Sequence, residues 1–344
     1  MFWLLSGCFD APPESAAPAP PPPPVVDHEP GCDTPESCTA ACDAGGATAC
    51  NRLGLWLHDG LAGAPRDPVA ASERYARACD LGAGIGCFNL AEQKSGGQGI
   101  PADPAGAAAL MARAHAAYRA SCDAGGLVWC TNLAGLYQRG EGVPRDPVAA
   151  LNLYVSTCEK GEPFACLEQA SMWSSGAAGA PDPAGAEALL RRLCDGGLAE
   201  GCNNLALKIE EQGGDPRPIF QASCDRGTAM SCRNLALRTE DVEAALALLI
   251  RACDDTSDLD GVACAMAGDL LEAGQRAGEA FLRFERACSV GVPEACLAAV
   301  RLGATGAVPL TPEAARPLVE RGCALGDPEA CDVIRSINPG VPTP

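Results

Sequence analysis

Cysteine is the residue with the greatest capacity for chemistry in this 344-residue sequence, which contains 21 of them. Most form pairs with seven residues between the two members, and the pair Cys253 and Cys264 has three residues more. Paired cysteines either form disulfides or bind a metal. Zinc-binding cysteines are usually two to four residues apart, and none of the three histidines lies at a ligand spacing. The pattern therefore favours disulfides over zinc.

Ten disulfides are expected, each between neighbours in the sequence. The predicted pairs are Cys32 with Cys38, Cys42 with Cys50, Cys79 with Cys87, Cys122 with Cys130, Cys158 with Cys166, Cys194 with Cys202, Cys224 with Cys232, Cys253 with Cys264, Cys288 with Cys296, and Cys323 with Cys331. Cys8 remains, and without it the number of cysteines is even, as complete pairing requires. So many thiols indicate an oxidising compartment.

Cys8 ends the sequence Leu5-Ser-Gly-Cys8, which resembles a bacterial lipobox, and residues 1–8 are interpreted as a truncated lipoprotein signal. A chance match is the alternative. Residues 9–31 are rich in Pro and Ala and are expected to form an extended polyproline-II stalk, or a disordered leader without a spacing role. No run of 18 apolar residues occurs, so attachment to a membrane is expected only through a lipid anchor.

The cysteine pairs recur at intervals of about 36 residues, which indicates a sequence repeat of that length. Asp-Pro dipeptides such as Asp67-Pro68 and Asp146-Pro147 recur in it, and they combine an N-cap acceptor with proline at the first helical position. An Ala-rich helix follows and runs to the next first cysteine. Another helix begins near the second cysteine and stops at a glycine-rich turn such as Gly140-Glu-Gly142. No alternating strand pattern is present, so the sequence predicts an all-α fold.

The spacing of each pair places its first cysteine in the last turn of one helix and its second in the first turns of the next. A tight turn between antiparallel helices brings these positions into disulfide range. Each closed loop is expected to contribute about 2–3 kcal/mol to the free energy of unfolding.

These motifs resemble the Sel-one-like repeat family, a relative of the tetratricopeptide repeats. The matching elements are Asn132-Leu-Ala-Gly-Leu-Tyr137, the connector from Gly140 to Pro147 and the Ala-rich second helix. The sequence Ala78-Cys-Asp-Leu-Gly82 resembles the cysteine-rich branch of the family, which includes the Helicobacter cysteine-rich proteins. The resemblance implies a right-handed α/α solenoid of about nine disulfide-stapled repeats over residues 32–337. Residues 338–344 are predicted to be a disordered tail.

Composition and motifs argue against several classes of function. The formal net charge of −19 disfavours nucleic acid as a partner. His28, His58 and His115 are isolated, so no metal site or cofactor is predicted. Some cysteine-rich relatives are described as penicillin-binding or β-lactamase proteins, but no lysine has serine three residues before it, and Thr157-Cys-Glu-Lys160 is the nearest approach. An enzyme is therefore disfavoured.

A recurring asparagine is the candidate binding feature. Asn89, Asn132, Asn204 and Asn234 each follow the second cysteine of a pair by two residues. In tetratricopeptide-like solenoids the first helix of each pair lines the concave face, where amides can bind a peptide backbone irrespective of its sequence. The alternative is that each asparagine bonds the neighbouring repeat and serves stacking alone. Aromatic side chains in the same helices, such as Trp56, are expected to belong to the core.

The favoured function is a non-catalytic scaffold that binds a protein or peptide on its concave face, in the bacterial cell envelope or after secretion. The resemblance leaves penicillin-binding or weak β-lactamase activity as the alternative, and a haem or metal assembly factor as a third possibility.

Overall fold

The protein is all-helical in the computed structural model, which describes residues 32–61, 63–64, 66–254 and 260–337. No strand occurs in these ranges. The predicted lipobox with Cys8, the stalk at 9–31 and the tail at 338–344 lie outside the described residues. The helices are α1 (Pro35–Asp43), α2 (Ala47–Asp59), α3 (Pro68–Asp80), α4 (Gly84–Gly96), α5 (Pro104–Asp123), α6 (Leu127–Arg139), α7 (Pro147–Glu159), α8 (Pro163–Ser175), α9 (Pro183–Asp195), α10 (Ala199–Glu211), α11 (Arg217–Asp225), α12 (Ala229–Ala236), α13 (Val242–Asp254), α14 (Gly261–Ala273), α15 (Ala277–Ser289), α16 (Pro293–Ala304), α17 (Pro312–Ala324) and α18 (Pro328–Ile337).

These helices form a solenoid of antiparallel pairs. We call the even-numbered helices from α2 to α18 first helices and the odd-numbered helices from α3 to α17 second helices. Among the described residues, eight complete pairs run from α2–α3 to α16–α17, preceded by α1 and followed by α18. The all-α solenoid predicted from the sequence is thus confirmed.

The capping residues determine where the helices begin and end. The Asp67 carboxylate accepts a hydrogen bond from the backbone N–H of Ala70 at 2.9 Å, and Asp146 does the same for Ala149 at 2.9 Å. Pro occupies the first position of both helices. Asp215-Pro216 differs, because α11 begins one residue later and the Asp215 carboxylate accepts from the N–H of Arg217. First helices such as α6 end at a left-handed glycine, Gly140 with φ of 77°.

Ten disulfides join cysteines that are neighbours in the sequence, with Cα–Cα distances from 4.3 to 4.7 Å. They are the ten predicted pairs: Cys32 with Cys38, Cys42 with Cys50, Cys79 with Cys87, Cys122 with Cys130, Cys158 with Cys166, Cys194 with Cys202, Cys224 with Cys232, Cys253 with Cys264, Cys288 with Cys296, and Cys323 with Cys331.

The disulfides connect successive helices in a regular way. Cys32 and Cys38 attach the chain before α1 to that helix. Each of the other nine disulfides connects the end of one helix with the start of the next first helix, as Cys79 and Cys87 connect α3 with α4. The second cysteines all lie near the start of a first helix: Cys202 in α10, Cys232 in α12, Cys296 in α16 and Cys331 in α18 are further examples. From α3 onward these covalent links therefore lie between successive helix pairs, not within them.

Arginines add a polar link between successive repeats. Arg251 on α13 donates to the Cys224 carbonyl at 2.8 Å, and Arg321 on α17 donates to the Cys288 carbonyl at 2.8 Å. Each guanidinium thus satisfies a carbonyl at the C-terminal end of the preceding second helix, where a positive charge also interacts favourably with the helix dipole.

The core is divided into seven clusters of buried residues along the solenoid. Alanine, cystine and leucine supply most of it, with a few large side chains such as Tyr154, Phe220 and Phe284. Aromatic rings pack where the facing first helix carries glycine. A Cβ at Gly268 would lie 2.6 Å from Cε1 of Phe284, and one at Gly54 would lie 2.6 Å from Cε1 of Tyr75.

Helix α5 is longer than the other second helices, and it shifts the next repeat by two helical turns along the preceding one. We call this shift the step at α5. Helix α5 has 20 residues, whereas most other second helices have 13. Tyr75 packs against Gly54, four residues after Cys50, but the corresponding Tyr118 packs against Gly84, three residues before the second cysteine of its repeat. Because α6 is fixed to the far end of α5, the end of α6 lies beside the start of α4. Accordingly, the Arg139 guanidinium lies 5.9 Å from the centre of the Phe88 ring.

Candidate functional site: the first-helix face

The exposed side of the first helices is the candidate binding surface. Residues two before, two after and five after the second cysteine lie on one side of an α-helix, since successive residues are about 100° apart. Residues one before and three after it, such as Ala49 and Leu53, lie on the opposite side and are buried. We call the surface formed by the first set, in α2 to α16, the first-helix face. The predicted asparagines all belong to it.

Large apolar side chains recur along the first-helix face. Six first helices each expose one, between 36% and 58% accessible: Leu55, Val128, Phe164, Leu207, Leu237 and Val262. A single exposed apolar residue is ordinary. Six such side chains recur at corresponding positions of the repeats, alternating with amides and carboxylates.

Two of the four predicted asparagines pair with an asparagine of the preceding repeat. The Asn89 Nδ2 donates to Oδ1 of Asn51 at 2.8 Å, and the Asn234 Nδ2 donates to Oδ1 of Asn203 at 2.6 Å. In both pairs the acceptor follows its second cysteine by one residue and the donor follows by two. This geometry matches the stacking alternative for Asn89 and Asn234, whose donors are already engaged.

The other two predicted asparagines have no such partner. Asn132 is half-buried and makes no side-chain hydrogen bond to another described residue, because the step at α5 moves α6 along α4. Asn204 is exposed and accepts only from its neighbour Asn203 at 3.4 Å, since Leu167 occupies the acceptor position in α8. The structure therefore does not bring the four asparagines together as one ladder.

Asn51 and Asn203 were not predicted from the sequence. The pattern that identifies them is an asparagine one residue after a second cysteine, followed in the next repeat by an asparagine two residues after.

Replacing Asn89 with Ala is expected to lower the free energy of unfolding by about 1–2 kcal/mol, because Asn51, 7% exposed, would lose its partner in a buried position. Asn204→Ala removes the same group at an exposed position and should change stability by less than about 0.5 kcal/mol. Chemical denaturation of both variants and the parent measures the difference. Equal stabilities would show that the Asn51–Asn89 pair does not hold the repeats together.

Charged side chains cluster at the step between α4 and α6. Arg139 donates to Glu141 at 2.8 Å, and its guanidinium fits over Gly135, where a Cβ would lie 3.0 Å from Nη1. The hydrogen bond to Glu141 raises the pKa of Arg139. Burial raises the pKa of Glu168, against the opposing effect of Arg139. The cluster combines a fixed guanidinium with carboxylates.

The residues nearest to a β-lactamase motif are unsuited to catalysis. The Thr157 side chain is 1% exposed, the adjacent Cys158 is bonded to Cys166, and Lys160 caps the C-terminal end of α7. A hydroxyl buried beside a disulfide cannot reach a substrate from this position.

The described histidines have structural surroundings. His58 Nδ1 lies 2.7 Å from Asp59 Oδ1 in the last turn of α2. The His115 ring packs edge-on against Tyr137 with centroids 5.6 Å apart, and burial lowers the pKa of His115. His28 lies outside the described residues. No group of three or more His, Cys, Asp and Glu side chains in the described ranges is placed to hold a metal ion.

Aromatic residues of the first helices mostly belong to the core, as the sequence predicts. Trp129 stacks on Tyr118 with ring centroids 5.7 Å apart, and Trp56, Tyr137 and Trp173 pack against buried clusters. None of the described helices combines the length and hydropathy that a membrane span requires.

The fold and the first-helix face define a helical-repeat scaffold. The Sel1 repeat model matches residues 47–82, 84–114 and 130–162, which correspond to α2–α3, most of α4–α5 and α6–α7. These segments are therefore Sel1 repeats, as the motifs predict, and the many cysteine pairs of the chain fit the cysteine-rich branch.

Two solved structures are similar to this chain. One is a protective antigen of uropathogenic Escherichia coli displaying an SLR fold, with 19% identity, coverage of 88% of this chain and 74% of that chain, and a TM-score of 0.43. Another is a Sel1 repeat protein from Oxalobacter formigenes, with 20% identity, coverage of 88% of this chain and 90% of that chain, and a TM-score of 0.46. No curated protein matches the sequence significantly.

Proposed function

We propose that this protein is a non-catalytic scaffold that binds a protein or an extended peptide on the first-helix face, and that this face is the concave side of the solenoid, as in tetratricopeptide-like proteins. The observation that carries the proposal is the row of six exposed apolar side chains on that face, one from each of six first helices. Asparagines and carboxylates beside them offer donors and acceptors for a peptide backbone. A rigid, disulfide-linked framework lowers the entropic cost of ordering such a surface on binding.

The proposed location is the bacterial cell envelope or the extracellular medium. Ten disulfides require an oxidising, extracytoplasmic compartment to form and persist. Lipidation of Cys8 and a spacer over residues 9–31 would attach the scaffold to a membrane at a distance from its surface, which the Leu5-Ser-Gly-Cys8 motif supports.

The experiment that tests this proposal selects peptides from a random display library on the full chain and measures their affinity for two double variants. Phe164→Glu with Leu207→Glu places charges on the first-helix face. We expect at least a tenfold loss of affinity, or about 1.4 kcal/mol, because apolar contacts would be replaced by buried carboxylates.

The matched control is Val69→Glu with Val148→Glu, which changes two valines on second helices that are 53% and 54% exposed. Affinity should be unchanged in the control. Equal losses in both double variants would place the peptide site elsewhere and contradict the proposal. No loss in either, together with no loss for Leu237→Glu on the same face, would contradict it as well. Thermal melts establish that all variants are folded.

A further inference from the structure

An apolar groove lies between α12, α13 and α14. Its volume is about 370 Å³, enough for one or two large side chains. Ala245 and Leu249 of α13, both at least nine-tenths buried, form its floor. Leu237 and Val242 form one wall and are each 58% exposed, and Met266 is among the α14 residues that form the other.

The groove exists because α12 is short. It has 8 residues, whereas α10 and α14 have 13, so it lacks about one and a half turns, or roughly 7.5 Å of helix. Leu237 caps the helix and the chain turns directly into α13.

A short connector leaves the groove uncovered. Between α6 and α7 a seven-residue connector runs from Gly140 to Asp146, and its Val143 packs against the buried cluster there. Between α14 and α15 the connector is only Gly274-Gln275-Arg276. It carries no apolar side chain that could cover the floor of the groove.

The rim of the groove is acidic. Asp269 lines it, Glu240 follows the lining residue Thr239, and Glu272 lies one turn from Asp269; all three carboxylates are exposed and none forms an ion pair among the described residues. Partial desolvation of the Asp269 carboxylate by its neighbours, and then the carboxylate of Glu272, raise the pKa of Asp269, against the opposing effect of Arg301 on α16.

Two arginines beside the groove are already engaged, and Arg301 acts on Asp269 only at a distance. Arg238 donates to Glu210 at 2.8 Å, and Arg276 donates to Glu279 at 2.8 Å. The apolar floor is therefore bordered by negative charge that no described side chain neutralises through an ion pair.

We propose that this groove binds a cationic apolar segment of a different protein, which inserts one or two large apolar side chains over Ala245 and Leu249 and places a Lys or Arg beside Asp269. The proposal rests on the scaffold function proposed above and names the chemistry of its partner. The chain's own segments outside the described ranges, 1–31, 255–259 and 338–344, contain no Lys or Arg, and a second copy carries the same net charge of −19. Charge complementarity thus favours a cationic partner over either.

The test uses the random display library described above, with sequencing of the peptides that the full chain enriches. Large apolar residues together with Lys or Arg are expected to be enriched. Their affinity should fall at least tenfold for the double variant Leu237→Glu, Val242→Glu, and several-fold for Asp269→Lys, which should also weaken the salt dependence of binding. Leu282→Glu on α15, at a side chain 61% exposed and outside the groove, is the control and should bind as the parent does.

The outcomes separate the two proposals. Selected peptides that lose affinity with Phe164→Glu and Leu207→Glu, but not with the groove variants, would support the scaffold function and overturn the groove as its site. Enrichment of acidic or uncharged sequences would overturn the cationic partner. Failure to enrich any sequence would contradict both proposals.

Discussion

Reduction of the ten disulfides is expected to unfold this protein at temperatures where the oxidised form remains folded. Most of the disulfides close a loop between cysteines eight positions apart, and each is worth about 2–3 kcal/mol in the chain-entropy model. Domains are typically stable by only about 5–15 kcal/mol. The core here consists largely of alanine, cystine and leucine in seven separate clusters, so packing alone is not expected to compensate for the loss.

Circular dichroism melts with and without a phosphine reductant measure this effect, together with a count of free thiols by alkylation and mass spectrometry. Protein treated with the alkylating reagent alone is the control and should melt as the untreated protein does. A fully reduced and alkylated chain that kept its helical signal and its melting temperature would show that packing, not the covalent links, maintains the solenoid.

Replacing Gly86 with Leu is expected to destabilise the protein by about 3 kcal/mol or more, which is the upper range for overpacking. A Cβ at Gly86 would lie 2.5 Å from Cβ of Ala78 and 2.8 Å from the backbone nitrogen of Cys79. These neighbours belong to α3 next to the Cys79–Cys87 disulfide, so they cannot move aside as the end of a flexible side chain does.

Gly278→Leu provides a matched control, because Gly278 is also helical but a Cβ there would meet nothing within 4 Å. This change should stabilise the protein by about 0.5–1 kcal/mol through helix propensity. Denaturant titration of both variants measures the change in the free energy of unfolding and shows whether each substitution destabilises or stabilises the protein. A Gly86→Leu variant as stable as the parent would mean that α3 and α4 can separate without cost.

The helices and their links could be predicted because they depend on local sequence. Asp-Pro fixes a helix start within a few residues, and in a helical chain a tight turn between antiparallel helices brings two cysteines eight positions apart into disulfide range. The exception, α11, begins after Pro216 because the Asp215 carboxylate bonds Arg217. The fold class and the disulfide pairs could therefore be predicted from short segments of the sequence, each considered by itself.

The candidate site was harder to predict because it depends on how one repeat lies against the next. The pairing of Asn89 with Asn51 requires asparagines at two different positions in successive repeats, whereas the recurrence of asparagine at one position suggested a ladder. The 43-residue interval between Cys79 and Cys122 indicates a longer unit, but the placement of Arg139 beside Phe88 follows only from the packing of Tyr118. The groove arises because α12 is shorter than its neighbours. The absence of these residues leaves no motif in the sequence from which the groove could be predicted.

The neighbour-to-neighbour disulfides have a consequence for how such a chain can change in length. No described cysteine is bonded beyond the adjoining helix, and corresponding cysteines occupy corresponding positions at successive junctions. Deletion of residues 123–158 would remove Cys130 and Cys158 together and leave Cys122 next to Cys166 at the spacing of the original pairs. The loss or duplication of a whole period in a gene therefore leaves no thiol without a partner, so the array can lengthen or shorten by recombination while each intermediate remains fully oxidised.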